Sequence, residues 1–360
     1  MNIGISVFAG DKYDVKSNME YIDIASSLGV SRIFTSFNAV MGNETDLKYA
    51  MEIIKYARLK NMNIMTDVSP KVFSLLGADL KDLAPFYRLG TSYIRCDYGF
   101  DAMNIAEMSK NDYGIGIVIN ASTVTQKEIE EILIYAGNIK NIKACHNFYP
   151  HPYTGLSCSF FNEKTKMLKE YGVEVSAFIP SQVGRRGPLY EGLPTIEYHR
   201  NMKPVLAARD LVYGNMIDAI YFGDAYASTE ELEGVLKIDP DVVELEIELT
   251  KNVSNIEKNI IFSPYHINRL DASEYIVRSG NSRLEWPEKI LPSNCIERNK
   301  YAVTIDNKGM GRYMGELQIV RQSLPSDPRV NVVGTMGNEN TLLLDYIQPG
   351  RKFKFIRKGG

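Results

Sequence analysis

The stretch NIMTDVS (63–69), and after it YIRCDYG (93–99), sets the pattern from which the fold follows. Each is a short run rich in strand-forming residues that ends in an aspartate and a turn, and a helix-like interval lies between them. A strand, a helical interval and a second strand make a βαβ unit, whose two strands run parallel. Working outward, the same rhythm recurs in NIGISVF (2–8), RIFTSFN (32–38), GIGIVINAS (114–122), IKACHNFYP (142–150), VEVSAFIPS (173–181) and AIYFGDAYAS (219–228). Eight such runs within 228 residues predict an α/β fold, the (β/α)8 TIM barrel, which usually takes about 250 residues.

The intervals carry helix signals. DVKSNMEYIDIASSLGV (14–30) puts Met19, Ile22 and Leu28 on one stripe and closes at Gly29, a residue suited to a helix C-terminus. ETDLKYAMEIIKYARLKN (44–61) offers Thr45 or Asp46 near its start, with Leu47, Met51, Ile54 and Ala57 at helical spacing. In TVTQKEIEEILIYAG (123–137) Thr125 precedes Glu128 by three, the spacing of a reciprocal cap. Segments 159–171 and 198–213 predict two later helices, and Ser228 with Glu230 and Glu231 opens a last one. After residue 238 the rhythm changes to DPDVVELEIEL, EYIVRS, YAVTIDN, GELQIVRQSL, RVNVVGTM and KFKFIRK, strand-like runs separated by turns. The expected organisation is a barrel domain over 1–238 and a smaller all-β domain, a compact barrel or sandwich, over 239–360.

Composition narrows the function. A hydrophobic fraction of 44% and a charged fraction of 24% are those of an ordinary globular protein. A net charge of −3 lacks the basic excess of a nucleic-acid binder. No run approaches the roughly 20 apolar residues of a membrane span, and MNIGISVFAGDKYD reads as a strand rather than a signal peptide. Cys96, Cys145, Cys158 and Cys295 show no metal-binding spacing. These features predict a cytoplasmic protein with no metal and no cofactor. They leave a homo-oligomer open.

A barrel of this kind carries its chemistry at the C-terminal strand ends. Asp67 and Asp97 close the third and fourth runs, and Asp224 closes the eighth. Carboxylates on adjacent strand ends, about 4.8 Å apart, can reach the spacing of either a retaining or an inverting glycosidase pair. An aspartate after a strand can equally cap the following helix. Asn120, His146 and Asn147 are candidate hydroxyl-binding groups, and Tyr149 and Tyr153 are candidate stacking rings. The glycine- and proline-rich stretch 181–195 cannot be helical and predicts an ordered loop over the barrel mouth. Its Arg185 and Arg186 suit a phosphate or carboxylate, and Glu191 is a further candidate carboxylate. Glu197 and Arg200 follow at the next helix entry, where Glu197 could also cap. In the second domain, the glycine-rich turn 306–313 carries Arg312, expected to reach toward the anionic end of a substrate. Neither GxGxxG nor GxxxxGK[ST] occurs, so a nucleotide site has no support.

The blocks GISVF, HNFYPHPYTGLS (146–157), GRRGPLYEGLPTIEYHR (184–200), FGDAYAS (222–228) and TIDNKGMGRYMGELQI (304–319) together resemble the DUF871 family, associated with 6-phospho-N-acetylmuramidases of the MupG type. The resemblance spans essentially the whole chain. It implies a TIM barrel followed by a cyclophilin-like β-barrel domain, and cleavage of the β-1,4 bond in MurNAc-6-phosphate–GlcNAc, a cytoplasmic disaccharide of cell-wall recycling. The expectation is therefore a phosphosugar glycosidase acting through rim carboxylates. The alternatives are a lyase, epimerase or aldolase acting on a phosphosugar, and a non-catalytic carbohydrate-binding protein. No predicted strand end carries the lysine that a Schiff-base enzyme would need.

Overall fold

Strands β1 (Asn2–Ser6), β2 (Arg32–Ser36), β3 (Asn63–Val68), β4 (Tyr93–Cys96), β5 (Gly116–Asn120), β6 (Ile142–Cys145), β7 (Glu174–Ile179) and β8 (Ala219–Phe222) pair in sequence order, all parallel. The ring closes where Asn2 of β1 registers with Ala219 of β8. This is the expected TIM barrel, and its closure leaves no unpaired strand edge. The computed structural model describes residues 1–10, 13–40, 42–135, 138–283 and 289–357.

Successive side chains on a strand face opposite ways, and the barrel uses both faces. The inward row includes Phe34, Met65, Val118, Cys145, Phe178 and Tyr221, packed with Phe8 into one buried cluster. Their neighbours Ile33, Ile64, Ile94, Ile117, Val175 and Ile220 are also buried and lie on the opposite, helix-facing side. Truncating one of these large core side chains to alanine costs about 3–5 kcal/mol. Gly4 belongs to the same packing, because a Cβ there would stand 2.3 Å from the Tyr221 ring.

The connecting helices are α1 (Val15–Ser27), α2 (Glu44–Leu59), α3 (Pro70–Leu76), α4 (Ala84–Leu89), α5 (Ala102–Ser109), α6 (Gln126–Tyr135), α7 (Cys158–Glu170), α8 (Pro204–Tyr213) and α9 (Thr229–Leu236). Before α6, the Glu128 amide donates to Thr125 Oγ1 at 3.2 Å and the Thr125 amide to Glu128 Oε2 at 2.8 Å, the expected reciprocal cap. Ser228 and Glu231 make the same box before α9. Helix α2 is capped by Asn43, not by Thr45 or Asp46, whose amides both donate to the Asn43 side chain. The helix expected over 198–213 begins later, at Pro204. A proline disfavours helical backbone in the residue before it, and the preceding 197–199 segment forms only a short 3₁₀ turn.

The chain divides into two compact units, Met1–Ile238 and Asp239–Gly360. In the second, β9 (Val242–Leu249), β10 (His266–Ile267), β11 (Ile276–Arg278), β12 (Ala302–Asp306), β13 (Leu317–Val320), β14 (Val330–Met336) and β15 (Lys352–Arg357) form one sheet in the order β10-β15-β9-β14-β12-β13-β11. All its pairings are antiparallel except β15 with β9. A seven-residue helix, α10 (Asn255–Ile261), interrupts the strands.

Candidate active site

The two-residue period of the strands sorts the candidate side chains. Ser36, Asp67 and Arg95 occupy registered positions on β2, β3 and β4 and continue the inward rows. Asp97, Asn120 and Asn147 fall on the same inward phase at the ends of β4, β5 and β6. His146 is one residue out of phase and is buried against α7, and Asp224, also wholly buried, lies two residues beyond β8.

Arg95 gathers the inward group. It is 4% exposed. Its Nη1 donates to Asp67 and, at 3.0 Å, to Asp97 Oδ1, while Nη2 donates to Asn147 Oδ1. Asp67 also accepts from Ser36 Oγ at 3.1 Å and from Asn38 Nδ2 at 3.4 Å. Burial pushes the Asp67 carboxyl above its ordinary range, the Arg95 guanidinium pulls it back, and the charge of Asp97 adds to the rise. The two aspartates differ in access, with side-chain exposures of 9% for Asp67 and 34% for Asp97. A guanidinium this deep is tolerable only when its charge is paired, and here two carboxylates pair with it.

In the same unit a cavity of about 620 Å³ is lined by Phe8, Tyr13, Ala39, Arg186 and Tyr190 among others. Its Ala39 follows Asn38, which donates to Asp67 at 3.4 Å. Arg186 lies over the Phe8 ring at 3.6 Å. Burial lowers the pKa of its guanidinium, with Tyr13 and Asp224 acting in the opposite sense. Among the described residues its guanidinium has no carboxylate in ion-pair contact. Arg185 is occupied differently, donating to Gln182 Oε1 at 2.6 Å and Asn201 Oδ1 at 3.0 Å.

The remaining candidates make other contacts. Asp224 accepts the amides of Ser181 at 2.9 Å, Arg186 at 3.0 Å and Leu193 at 3.0 Å, so it shapes the loop after β7. Glu197 accepts the Tyr153 and Gly155 amides, each at 2.8 Å, and pairs with Arg200 through two bonds of 2.6 Å. These bonds, the Arg200 pair first, hold its carboxyl down at about 2. Arg200 also donates to the Gly192 carbonyl at 2.9 Å and to the His151 carbonyl at 3.2 Å, which ties two rim loops together. His146 engages Thr165 Oγ1 at 3.0 Å and Ser122 Oγ at 3.2 Å and packs on Phe161; burial lowers its pKa to about 3. Asn120 accepts the Ser122 amide at 3.1 Å, and the half-buried Tyr149 donates its amide to the Pro194 carbonyl at 3.0 Å. Tyr153 is 92% exposed, and Glu191 lies on the exposed part of the loop. In the second unit, Arg312 sits in the turn Lys308–Tyr313 and donates to the Tyr313 hydroxyl at 2.8 Å. Among the described residues no group of three or more histidine, cysteine or acidic side chains could hold a metal.

The sequence reading did not single out Arg95, Ser36 or Asn38. The signal for Arg95 was present, because it shares a strand face with Asp97, two residues on.

Residues 3–237 match the family described as 6-phospho-N-acetylmuramidase, N-terminal, and residues 243–356 match 6-phospho-N-acetylmuramidase, C-terminal. No curated protein matches the chain. Among solved structures, an uncharacterised B. cereus protein is 33% identical, with a TM-score of 0.89 and 99% of each chain covered. A conserved Enterococcus faecalis protein of unknown function is also 33% identical, with a TM-score of 0.77, and the likeness covers 100% of this chain and 97% of that one. With the two family matches taken together spanning nearly its whole length, the chain belongs to the 6-phospho-N-acetylmuramidase family and is a glycosidase.

Proposed function

We propose that this glycosidase hydrolyses the β-1,4 bond of MurNAc-6-phosphate–GlcNAc in the cytoplasm, using Asp67 and Asp97 as its reacting carboxylates. The observation that carries the reading is the pair of inward carboxylates on one buried guanidinium, together with a ring-lined cavity in the same unit whose cation, Arg186, has no carboxylate partner among the described residues. Glycoside hydrolysis needs two carboxyl groups flanking the scissile bond, one to protonate the leaving oxygen and one to attack carbon or activate water. Arg186 is the candidate for the 6-phosphate, since it lines the cavity and has no carboxylate partner among the described residues. Asn120 and Asn147, on the inward phase, are placed for hydroxyl contacts, and Tyr153 is exposed for stacking on a ring.

The test is incubation with the phosphorylated disaccharide, followed by mass spectrometry of the products and an EDTA control. Equal amounts of MurNAc-6-phosphate and GlcNAc, unaffected by EDTA, are expected. Turnover of other phosphosugars with none of this disaccharide would overturn the substrate assignment. Cleavage by an Asp97→Asn variant at the wild-type rate would overturn the carboxylate assignment, and Asp224 with Glu191 would become the pair to test.

A further inference from the structure

A single nitrogen, Arg95 Nη1, donates to both Asp67 and Asp97. Two acceptors of one nitrogen can stand no farther apart than two hydrogen-bond lengths laid end to end, about 6 Å. Inverting glycosidases separate their carboxyl groups by roughly 6.5–9.5 Å to admit a water, whereas retaining ones hold them at roughly 5–5.5 Å. The shared donor therefore excludes the wide spacing for the two bonded oxygens and admits the narrow one. Its own position is fixed from several sides. Arg95 registers with Asp67 across adjacent strands, its Nη2 is held by Asn147 just beyond the end of β6, and it is 4% exposed.

We propose that Arg95 is a positioning residue that sets Asp67 and Asp97 at the spacing of double displacement, so that the glycosidic bond is cleaved with retention of configuration. The inference rests on the assignment of these two aspartates as the reacting carboxylates. Their surroundings divide the roles. Asp67 is deep, and although burial raises its pKa, the donors Arg95, Ser36 and Asn38 favour its ionised form, as a nucleophile requires. Asp97, with its side chain 34% exposed, is open to the water that the second step needs. In the first step an Asp67 oxygen bonds to the anomeric carbon as the bond from that carbon to the bridging oxygen breaks. The bridging oxygen leaves with the electron pair and takes the Asp97 proton, so the departing sugar is an alcohol. In the second step Asp97, now a carboxylate, takes a proton from water as the water oxygen bonds to the anomeric carbon. The ester bond breaks in the same step and its electron pair returns to Asp67.

Proton NMR of the first-formed product, recorded before mutarotation, reads the stereochemistry. The β-anomer of MurNAc-6-phosphate is expected, and the α-anomer would overturn the proposal. Participation by the substrate's own acetamido group would also give retention, so an Asp67→Ala variant is assayed with sodium azide. Renewed cleavage that releases an α-glycosyl azide is expected, while no rescue would overturn the nucleophile assignment. This variant leaves Arg95 paired with Asp97, so the buried cation is not stranded.

Arg95→Lys tests the positioning. An ammonium keeps the charge but loses the planar fork, and a displacement of about 1 Å costs around a hundredfold in rate. A fall in kcat of about tenfold to a hundredfold, with KM within about threefold, is expected. A crystal structure of the variant should show the two carboxylates displaced, and carboxylates left in place would overturn the proposal whatever the activity. Displaced carboxylates with unchanged kcat would leave Arg95 as a positioning residue and sink the assignment of the aspartates to the chemistry. If the wild type does not cleave the disaccharide, the substrate reading fails and the Arg95→Lys structure still decides the positioning.

Discussion

Asp67 and Asp97 share one cation but stand in different surroundings, and that difference sets what each substitution does. Asp97→Asn removes a partly exposed charge and leaves the Arg95–Asp67 pair intact. It should fold normally and lose about a hundredfold to ten-thousandfold in kcat, the range for removing a proton-transfer group. Asp67→Asn should lose at least as much, and it should also lower the melting temperature because it strips a buried pair of its stronger contact. Steady-state kinetics with a thermal melt on each variant check both outcomes. The arginines separate in the same way. Arg186→Ala should weaken phosphorylated substrate by roughly tenfold to a hundredfold, from a charge-assisted contact of about 1.5–3 kcal/mol. Its effect on the dephosphorylated analogue should be slight. Arg185→Ala, whose guanidinium is held by Gln182 and Asn201, should affect the two ligands equally. Equal losses for Arg186→Ala would remove it from phosphate recognition. The strand-end rule made Asp67, Asp97 and Asn147 legible in the sequence. It also drew in His146, which the strand phase turns toward α7, and Asp224, whose carboxylate accepts amides of the loop after β7. Arg95 escaped notice because an arginine inside a strand looks costly until its two carboxylate partners are known.

At the scale of elements, two polar devices carry opposite dependences on pH. Glu197 clamps the loop after β6 to Arg200, and its carboxyl is held at about 2 against an ordinary 4.5. A depressed carboxyl contributes stability that is present above the unfolded pKa and lost as pH falls through the folded one. Glu197→Gln should therefore melt several degrees lower than the wild type at pH 7, and the gap should close as pH falls from about 4.5 to about 2. A gap that did not change with pH would deny the clamp its electrostatic origin. Asp306, at the end of β12, behaves in reverse. Burial, with repulsion from Glu316, raises it from 3.8 to about 7. The folded state then holds a proton that the unfolded chain has released, so stability falls as pH rises from 3.8 to about 7. Asp306→Asn should be more stable than the wild type at pH 8, with the advantage gone below about pH 4. Parallel melts across that range would disprove it. The strands of both units, apart from the two-residue β10, were legible because their runs are short and bounded by turns. The late start of α8 was legible only in part, since the helix expected over 198–213 runs back past Pro204, where backbone restriction stops it.

At the scale of the whole molecule, the change of rhythm near residue 238 in the sequence has a physical counterpart in two separately built cores. The barrel buries Phe8, Phe34, Met65, Phe178 and Tyr221 inside its own ring, closes β1 on β8 and leaves no strand edge for another segment to complete. The second unit buries Ala302, Val320 and Val332 within its own sheet. A domain that satisfies its backbone and owns its core can fold alone. The truncated chain 1–238 should therefore unfold in one cooperative transition and show the circular dichroism of a mixed α/β protein. Limited proteolysis of the full chain should cut first near Ile238–Asp241, between the ends of α9 and the start of β9. An aggregated or non-cooperative 1–238 chain would mean that the barrel depends on the second unit for its stability. Activity of the truncated chain then separates two roles for residues 239–360. Cleavage at the wild-type rate would confine the chemistry to the Arg95 cluster and the Arg186 cavity. A folded but inactive barrel would require residues of the second unit for turnover, and Arg312→Ala in the full chain is the first variant to measure.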